Sequence, residues 1–176
     1  MPVELRELRN CLGHFATGVS VVTCAGAGGQ PHGATVNAFA SVSLDPPLVL
    51  VSLAHTTKAG RLLAGNPFTV NVLRAEQEEL ALHFAGHRTP ARVHWAPGDP
   101  PRLADPLAYL ACSPWRAYDG GDHTLYLGRV EEFDHLEGEP LVFYRGRFAG
   151  IGHESQATPW IGSLDSPEAG WLSPAH

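Results

Sequence analysis

The sequence predicts a mainly β, antiparallel fold: a closed or nearly closed barrel with a few short helices at its periphery. Three observations carry that expectation. Short apolar runs, rich in β-branched residues, recur along the chain. The 19 glycines and 15 prolines fall between those runs instead of pooling in one tract, so turns join the runs. No strand–helix alternation and no G-x-G-x-x-G after a strand is present, which argues against a doubly wound parallel sheet. A chain of 176 residues suits one domain, and 44% hydrophobic against 17% charged residues supplies a core and excludes disorder.

The elements follow in order. Leu5, Leu8, Leu12 and Phe15 recur at three- and four-residue spacing and read as the buried stripe of an N-terminal helix. Residues 19–24 read as a strand, 25–30 with three glycines as a turn, and 32–37 as the second strand of a hairpin. Residues 38–44 are small and polar with alternating serines, and Pro46-Pro47 punctuates the chain. The unbroken apolar run 48–53 is a strand buried on both faces or inside a barrel. Residues 58–64 form a short helix ended by Gly65-Asn66-Pro67, 68–73 alternate as a strand, and 75–85 form a helix. Residues 86–105 lack any period, and a loop of that length tends to be functional. Three further strands occupy 107–112, 123–133 and 141–148. The polar, Pro-rich stretch 152–176 reads as a tail behind one domain, 1–151, ordered only against a partner; its Trp160 and Trp171 are candidate anchors.

Charge narrows the function. Twelve basic and 18 acidic residues give −6, with no basic face for nucleic acid. No apolar run approaches the ~18 residues needed to span a bilayer, and the charged N-terminus lacks a signal-peptide core. Cys11, Cys24 and Cys112 are scattered and odd in number, which suits packing thiols in a reducing compartment. The expected location is cytoplasmic, with no membrane partner.

Three constellations hold the candidate chemistry. The stretch from Gly33 to Ser43 is dominated by small residues. Small side chains let a flat ring approach the backbone, and free amides then donate to its polar edge; the alternative is a bulged Ser/Ala-rich strand with no ligand. Ser52 to Lys58 brings hydroxyls together with Lys58, the sole lysine, as a phosphate site requires; the alternative is a helix cap with a solvated lysine. Gly120-Gly121-Asp122-His123 presents an imidazole at a strand end, with Asp122 able to orient it; the alternative is a plain turn. His83 and His87 lack a third ligand at diagnostic spacing, so no metal is expected. Trp95 and Trp115 either line a pocket or cover an edge.

The order and wording of these blocks resemble the short-chain flavin reductase family, the reductase components of two-component flavin monooxygenases. The matching stretches are Phe15-Ala16-Thr17-Gly18-Val19, Gly33 through Asn37-Ala38-Phe39-Ala40-Ser41-Val42-Ser43-Leu44-Asp45-Pro46-Pro47, Phe68-Thr69-Val70-Asn71-Val72-Leu73 with Phe84-Ala85, and Gly121-Asp122-His123. The resemblance implies a Greek-key split β-barrel, a homodimer, and non-covalent FMN or FAD reduced by NADH or NADPH for a partner monooxygenase. It implies that Thr35, Val36, Asn37, Ala38, Ser41, Ser43, Phe84 and Ala85 lie against the flavin. Ser52 lies along its tail, Lys58 at its phosphate, and His123 at the nicotinamide. Two departures stand out: His55-Thr56-Thr57-Lys58 replaces a serine-centred phosphate segment, and Gly86-His87 follows Phe84-Ala85 where the family often has an Arg-Phe or Lys-Phe pair.

Hydride transfer needs rings held roughly 3–3.5 Å apart but no acid or base, so His123 is expected to position or handle a proton. The rival readings are a non-catalytic flavin- or haem-binding barrel, a flavoenzyme akin to pyridoxamine-phosphate oxidases, against which the Gly-Asp-His turn argues, and a purely structural module.

Overall fold

The computed structural model describes residues 3–88 and 91–152; the predicted tail, with Trp160 and Trp171, lies outside them apart from its first residue. The helices are α1 (Leu5–Leu12), α2 (Lys58–Leu63) and α3 (Glu78–Phe84). The strands are β1 (Thr17–Gly18), β2 (Ser20–Ala25), β3 (Pro31–Val36), β4 (Phe39–Leu44), β5 (Pro47–Ala54), β6 (Phe68–Val72), β7 (Trp95–Ala96), β8 (Arg102–Leu103), β9 (Ala108–Asp119), β10 (His123–His135), β11 (Val142–Tyr144) and β12 (Arg147–Ala149).

The fold is mainly β and antiparallel. Seven strands pair in the order β3-β2-β6-β9-β10-β5-β4, with β1-β11-β12 and β7-β8 as small side sheets. The two edge strands, β3 and β4, are consecutive in the chain, joined only by Asn37-Ala38. Three Cα steps of about 3.8 Å reach at most about 11 Å, so the sheet curls until its edges nearly meet at that connector. The Ser52 amide donates to the Ala38 carbonyl at 3.1 Å, fixing the connector beside β5.

Apolar side chains fill the inside of the curl: Val22, Val49, Val51, Leu53, Phe68 and Val70 pack with Ala59 and Leu63 of α2, all buried. Tyr126 donates its hydroxyl to the Gly60 carbonyl at 2.6 Å, pinning α2. A second cluster of Val19, Val21, Leu73, Ala81, Leu103 and Leu141 seats α3 on the other side of β2.

Five expectations need correction. The α1 stripe is not buried: Leu5, Leu12 and Phe15 are 73%, 65% and 79% exposed, because α1 projects off the sheet. The small, polar run at 39–44 is a strand, since β5 supplies ladder partners that compensate for weak propensity. β9 extends to Asp119 and forms a long hairpin with β10. Residues 141–148 are no single strand; Arg145 and Gly146 both take positive φ (49° and 76°) and turn β11 back onto β12. The alternation of β6 implies a wet face, yet Thr69 and Asn71 are fully buried. Residues 100–103 cover them. Asn71 Nδ2 donates to the Val21 carbonyl (2.9 Å) and Thr23 Oγ1 (3.0 Å), Asn71 Oδ1 accepts from the Leu103 amide (2.9 Å), and Thr23 donates to the Pro101 carbonyl.

Candidate functional site

The edge strand β3 and the end of α3 build a groove. Gly33 permits it: a Cβ there would lie 2.8 Å from Phe84 Cδ1, so only glycine lets the ring pack this close to the strand. Two residues on, the Thr35 hydroxyl donates to the Ala81 carbonyl at 2.6 Å and ties strand to helix. The helix ends where Gly86 takes φ of 87° and donates to the His83 carbonyl, leaving Ala85 at the groove wall.

One end of the groove is a cleft of about 200 Å³ lined by Val19, Thr35, Val36, Asn37, Ala85, Phe143 and Phe148. Four sequence-predicted residues meet there. Phe143 and Phe148, paired across β11–β12 with ring centroids 5.4 Å apart, were not foreseen; the signal was the turn glycine Gly146. The other end, a cleft of about 420 Å³, is lined by His32, Gly33, His83, Phe84 and Trp95 among others. Trp95 meets Phe84 edge-on at 6.1 Å, while Trp115 is exposed on β9. Because β3 is a sheet edge, one row of its backbone groups takes no ladder bond, which suits donors aimed at a planar heterocycle.

The other predicted residues belong to the β4–β5–β10 surface. Ladder register sets His123 opposite Ala54 and Leu125 opposite Ser52, so these four share the half-exposed face away from the core. Ala38 flanks Ser52 on the same surface. Two strand spacings and two residues of rise put Ala38 about 12 Å from His123. A bulge at Val42 splits the serines: Ser41 sits opposite Val49 and Ser43 opposite Leu48, hence on opposite faces.

His123 is held from behind. Its Nδ1 meets Asp122 Oδ1 at 2.6 Å, and the His55 amide donates to the Asp122 carbonyl at 3.1 Å. The His123 hydrogen bond, with a smaller contribution from its charge, holds the Asp122 carboxyl below the usual range. Thr57 is a helix cap, accepting from Gly60 N at 3.0 Å and donating to the Ala54 carbonyl. Lys58 beside it is exposed and in no ion pair among the described residues. Burial, then the Lys58 charge, pushes His32 down.

A family model described as a flavin reductase like domain matches residues 12–152. The chain belongs to the flavin reductase family. It is 43% identical over 160 residues to an NADH-dependent flavin reductase of a Rhodococcus species, covering 88% of this chain and 90% of that one. It is 36% identical over 183 residues to HsaB of Rhodococcus jostii, the reductase subunit of a flavin-dependent monooxygenase, covering 97% and 93%. Among solved structures, the Streptomyces globisporus NADH:FAD oxidoreductase SgcE6, in complex with NAD and FAD fragments, aligns with a TM-score of 0.80 at 37% identity over 89% of this chain and 99% of that one. The family thus agrees with the resemblance read from the Gly33–Pro47 and Gly121–His123 blocks.

Proposed function

We propose that this member of the flavin reductase family transfers hydride from NADH to non-covalently bound FMN or FAD and releases the reduced flavin to a separate monooxygenase. One observation carries the reading. Residues far apart in sequence, Asn37-Ala38, Ser52 and His123, share one open surface next to a groove walled mainly by apolar residues. The groove residues fit a flavin: apolar walls from Val36, Ala85 and Phe143, and edge-strand amides for the ring's polar rim. Thr35 acts through its backbone, since its hydroxyl is engaged by α3. Ser43 and Ser52 face the same surface by register, and Ser41 contributes only main chain.

The bound flavin supplies the electron-accepting chemistry and the nicotinamide the hydride. The chain orients both. Asn37 and Ala38 fix the ring, Lys58 meets the phosphate, and Phe84 with Ala85 close one side. Asp122 accepts from His123 Nδ1, which sets the imidazole's tautomer and leaves Nε2 toward the nicotinamide side. No acid or base is needed for hydride transfer itself, so His123 acts by placement.

The curled sheet is read as a split barrel of Greek-key type, and the molecule as a homodimer. Leu5, Leu12 and Phe15 on the α1 segment leave an apolar surface that a second copy covers. No helix among the described residues is long and apolar enough to cross a membrane; three free thiols favour a cytoplasmic setting. Absorbance near 340 nm, followed with protein, NADH and FMN, tests the activity. Consumption of NADH only when FMN or FAD is added supports it; flavin binding with NADH left intact identifies a non-catalytic binder.

A further inference from the structure

We propose that Tyr144, Arg145 and Arg147, at the tip of the β11–β12 hairpin, hold the adenosine diphosphate half of a dinucleotide. In the flavin-reductase reading, on which this rests, that dinucleotide is the hydride donor.

The site is a cavity of about 310 Å³, and these are the only described residues that line it. All three are exposed, and neither guanidinium takes part in an ion pair among the described residues. The chain carries 18 acidic residues against 12 basic ones, yet no described carboxylate lines this cavity. The backbone fixes the arginines. Arg145 and Gly146 form the two-residue turn, and Arg145 takes φ of 49°, a region that asparagine, aspartate and glycine enter more readily. Strain kept under an arginine points to a use for its side chain. The Arg145 amide donates to the Gly13 carbonyl at 2.9 Å, fastening the turn to the end of α1. Tyr144 and Arg147 are ladder partners, so their side chains leave the same face of the hairpin. His14, whose Nδ1 donates to the Asn10 carbonyl at 2.9 Å, meets the Tyr144 ring edge-on at 6.4 Å and flanks it.

Unpaired guanidinium forks match phosphate oxygens in pairs, and a phenol ring offers its face to a base. A concave volume of this size belongs with small-ligand sites. A nucleoside diphosphate uses all three side chains. Two molecules of the proposed reaction contain one, NADH and FAD, and placement favours NADH. Phe143 and Phe148, the chain neighbours of Tyr144 and Arg147, wall the flavin cleft from the hairpin's other face. A nicotinamide stacked at that cleft lies on the order of 10 Å from the pocket, the spacing of stacked layers. β12 is the free edge of its sheet, around which ribose and pyrophosphate pass. The flavin's own phosphate end runs elsewhere, toward Lys58 on α2.

The test is steady-state NADH oxidation by the whole chain with saturating FMN, repeated with FAD, and with free ADP as inhibitor. Wild type is compared with the Arg145→Gln/Arg147→Gln double variant and with Arg145→Gly. The double variant should raise KM for NADH about tenfold or more, the factor for one charge-assisted hydrogen bond, with kcat and FMN affinity held. Free ADP should compete with NADH in wild type and lose that effect in the double variant. Reduced nicotinamide mononucleotide, which lacks the adenylate, should be turned over equally by both. Arg145→Gly, which relieves the positive φ, should raise KM without lowering Tm; a fall in Tm with KM unchanged makes Arg145 structural and overturns the proposal. Competition of ADP with FAD but not with NADH overturns the donor assignment and gives the pocket to the flavin. An unchanged KM for NADH with unchanged ADP inhibition, or an equal KM rise for the mononucleotide, overturns the proposal as a whole. Calorimetric titration of ADP into wild type and double variant keeps the two readings apart. Absence of NADH oxidation sinks the flavin-reductase reading, whereas equal ADP binding by both proteins sinks only the pocket.

Discussion

Replacing Asn71 with leucine should destabilise the domain more than any conservative change on its surface. Asn71 is fully buried, and its amide serves three partners at 2.9–3.0 Å: the Val21 carbonyl, Thr23 Oγ1 and the Leu103 amide. Leucine keeps the branched skeleton, is the larger residue, and makes none of these bonds. Thr23 keeps its link to Pro101, so two groups, Val21 O and Leu103 N, lose the amide. Each unsatisfied buried group costs about 1–3 kcal/mol, giving roughly 2–6 kcal/mol in all. At this size, 1 kcal/mol moves Tm by about 2–4 °C, so the expected drop is roughly 4–24 °C. Thermal melts by circular dichroism, with urea midpoints as a check on two-state behaviour, measure it. Flavin affinity should fall as well, because Leu103 lies on β8, whose partner β7 carries the Trp95 that abuts Phe84. A Tm change under about 2 °C would refute the claim that this amide fastens the 86–105 segment to the sheet. A Thr23→Val/Asn71→Leu double-mutant cycle sharpens the test: the shared hydrogen bond requires the two losses to be non-additive.

Four further expectations are open to direct measurement. His123→Ala should slow flavin reduction in stopped flow far more than it weakens flavin binding, and equal loss of both removes His123 from the nicotinamide side. Gly33→Val must push Phe84 off the strand, which a Cβ would already approach to 2.8 Å; overpacking costs about 1–3 kcal/mol, and fluorescence titration should show weaker flavin binding, with unchanged affinity meaning that the ring is not part of the groove. Burial pushes the Cys112 thiol up to about 12, burial also raises Cys24, and Cys11 is exposed. At pH 8 a disulfide reagent should therefore titrate one thiol quickly and two only on unfolding. Since the folded Cys112 value is the higher one, its share of stability is complete below the ordinary thiol value near 9 and is lost as pH rises from there toward 12. Leu12→Asp with Phe15→Asp should shift the sedimentation coefficient from dimer to monomer if α1 meets a second copy; an unchanged value places the subunit contact elsewhere.

Local signals carried much of the architecture. The β2–β3 hairpin, the apolar β5 and the breaks at Gly65 and Gly86 were legible because strand period and turn chemistry act between near neighbours in sequence. The weak β4 was missed because its pairing comes from β5, and the β11–β12 turn was hidden because the single glycine Gly146, between Arg145 and Arg147, is a faint signal. The α1 stripe shows the opposite failure: helical spacing identifies an apolar face but cannot say whether this chain or another molecule covers it.

The sequence by itself determined the family, through motif wording in the Gly33–Pro47 and Gly121–His123 blocks, and with it the residues worth watching. Only the tertiary structure decided their grouping. It curls a seven-stranded sheet until Ala38 lies beside Ser52, assigns Thr35's hydroxyl to α3, and divides Ser41 from Ser43 by a bulge. The physical reason is distance along the chain: ladder register and curl are set by hydrogen bonds and burial between segments tens of residues apart, and no local pattern encodes them.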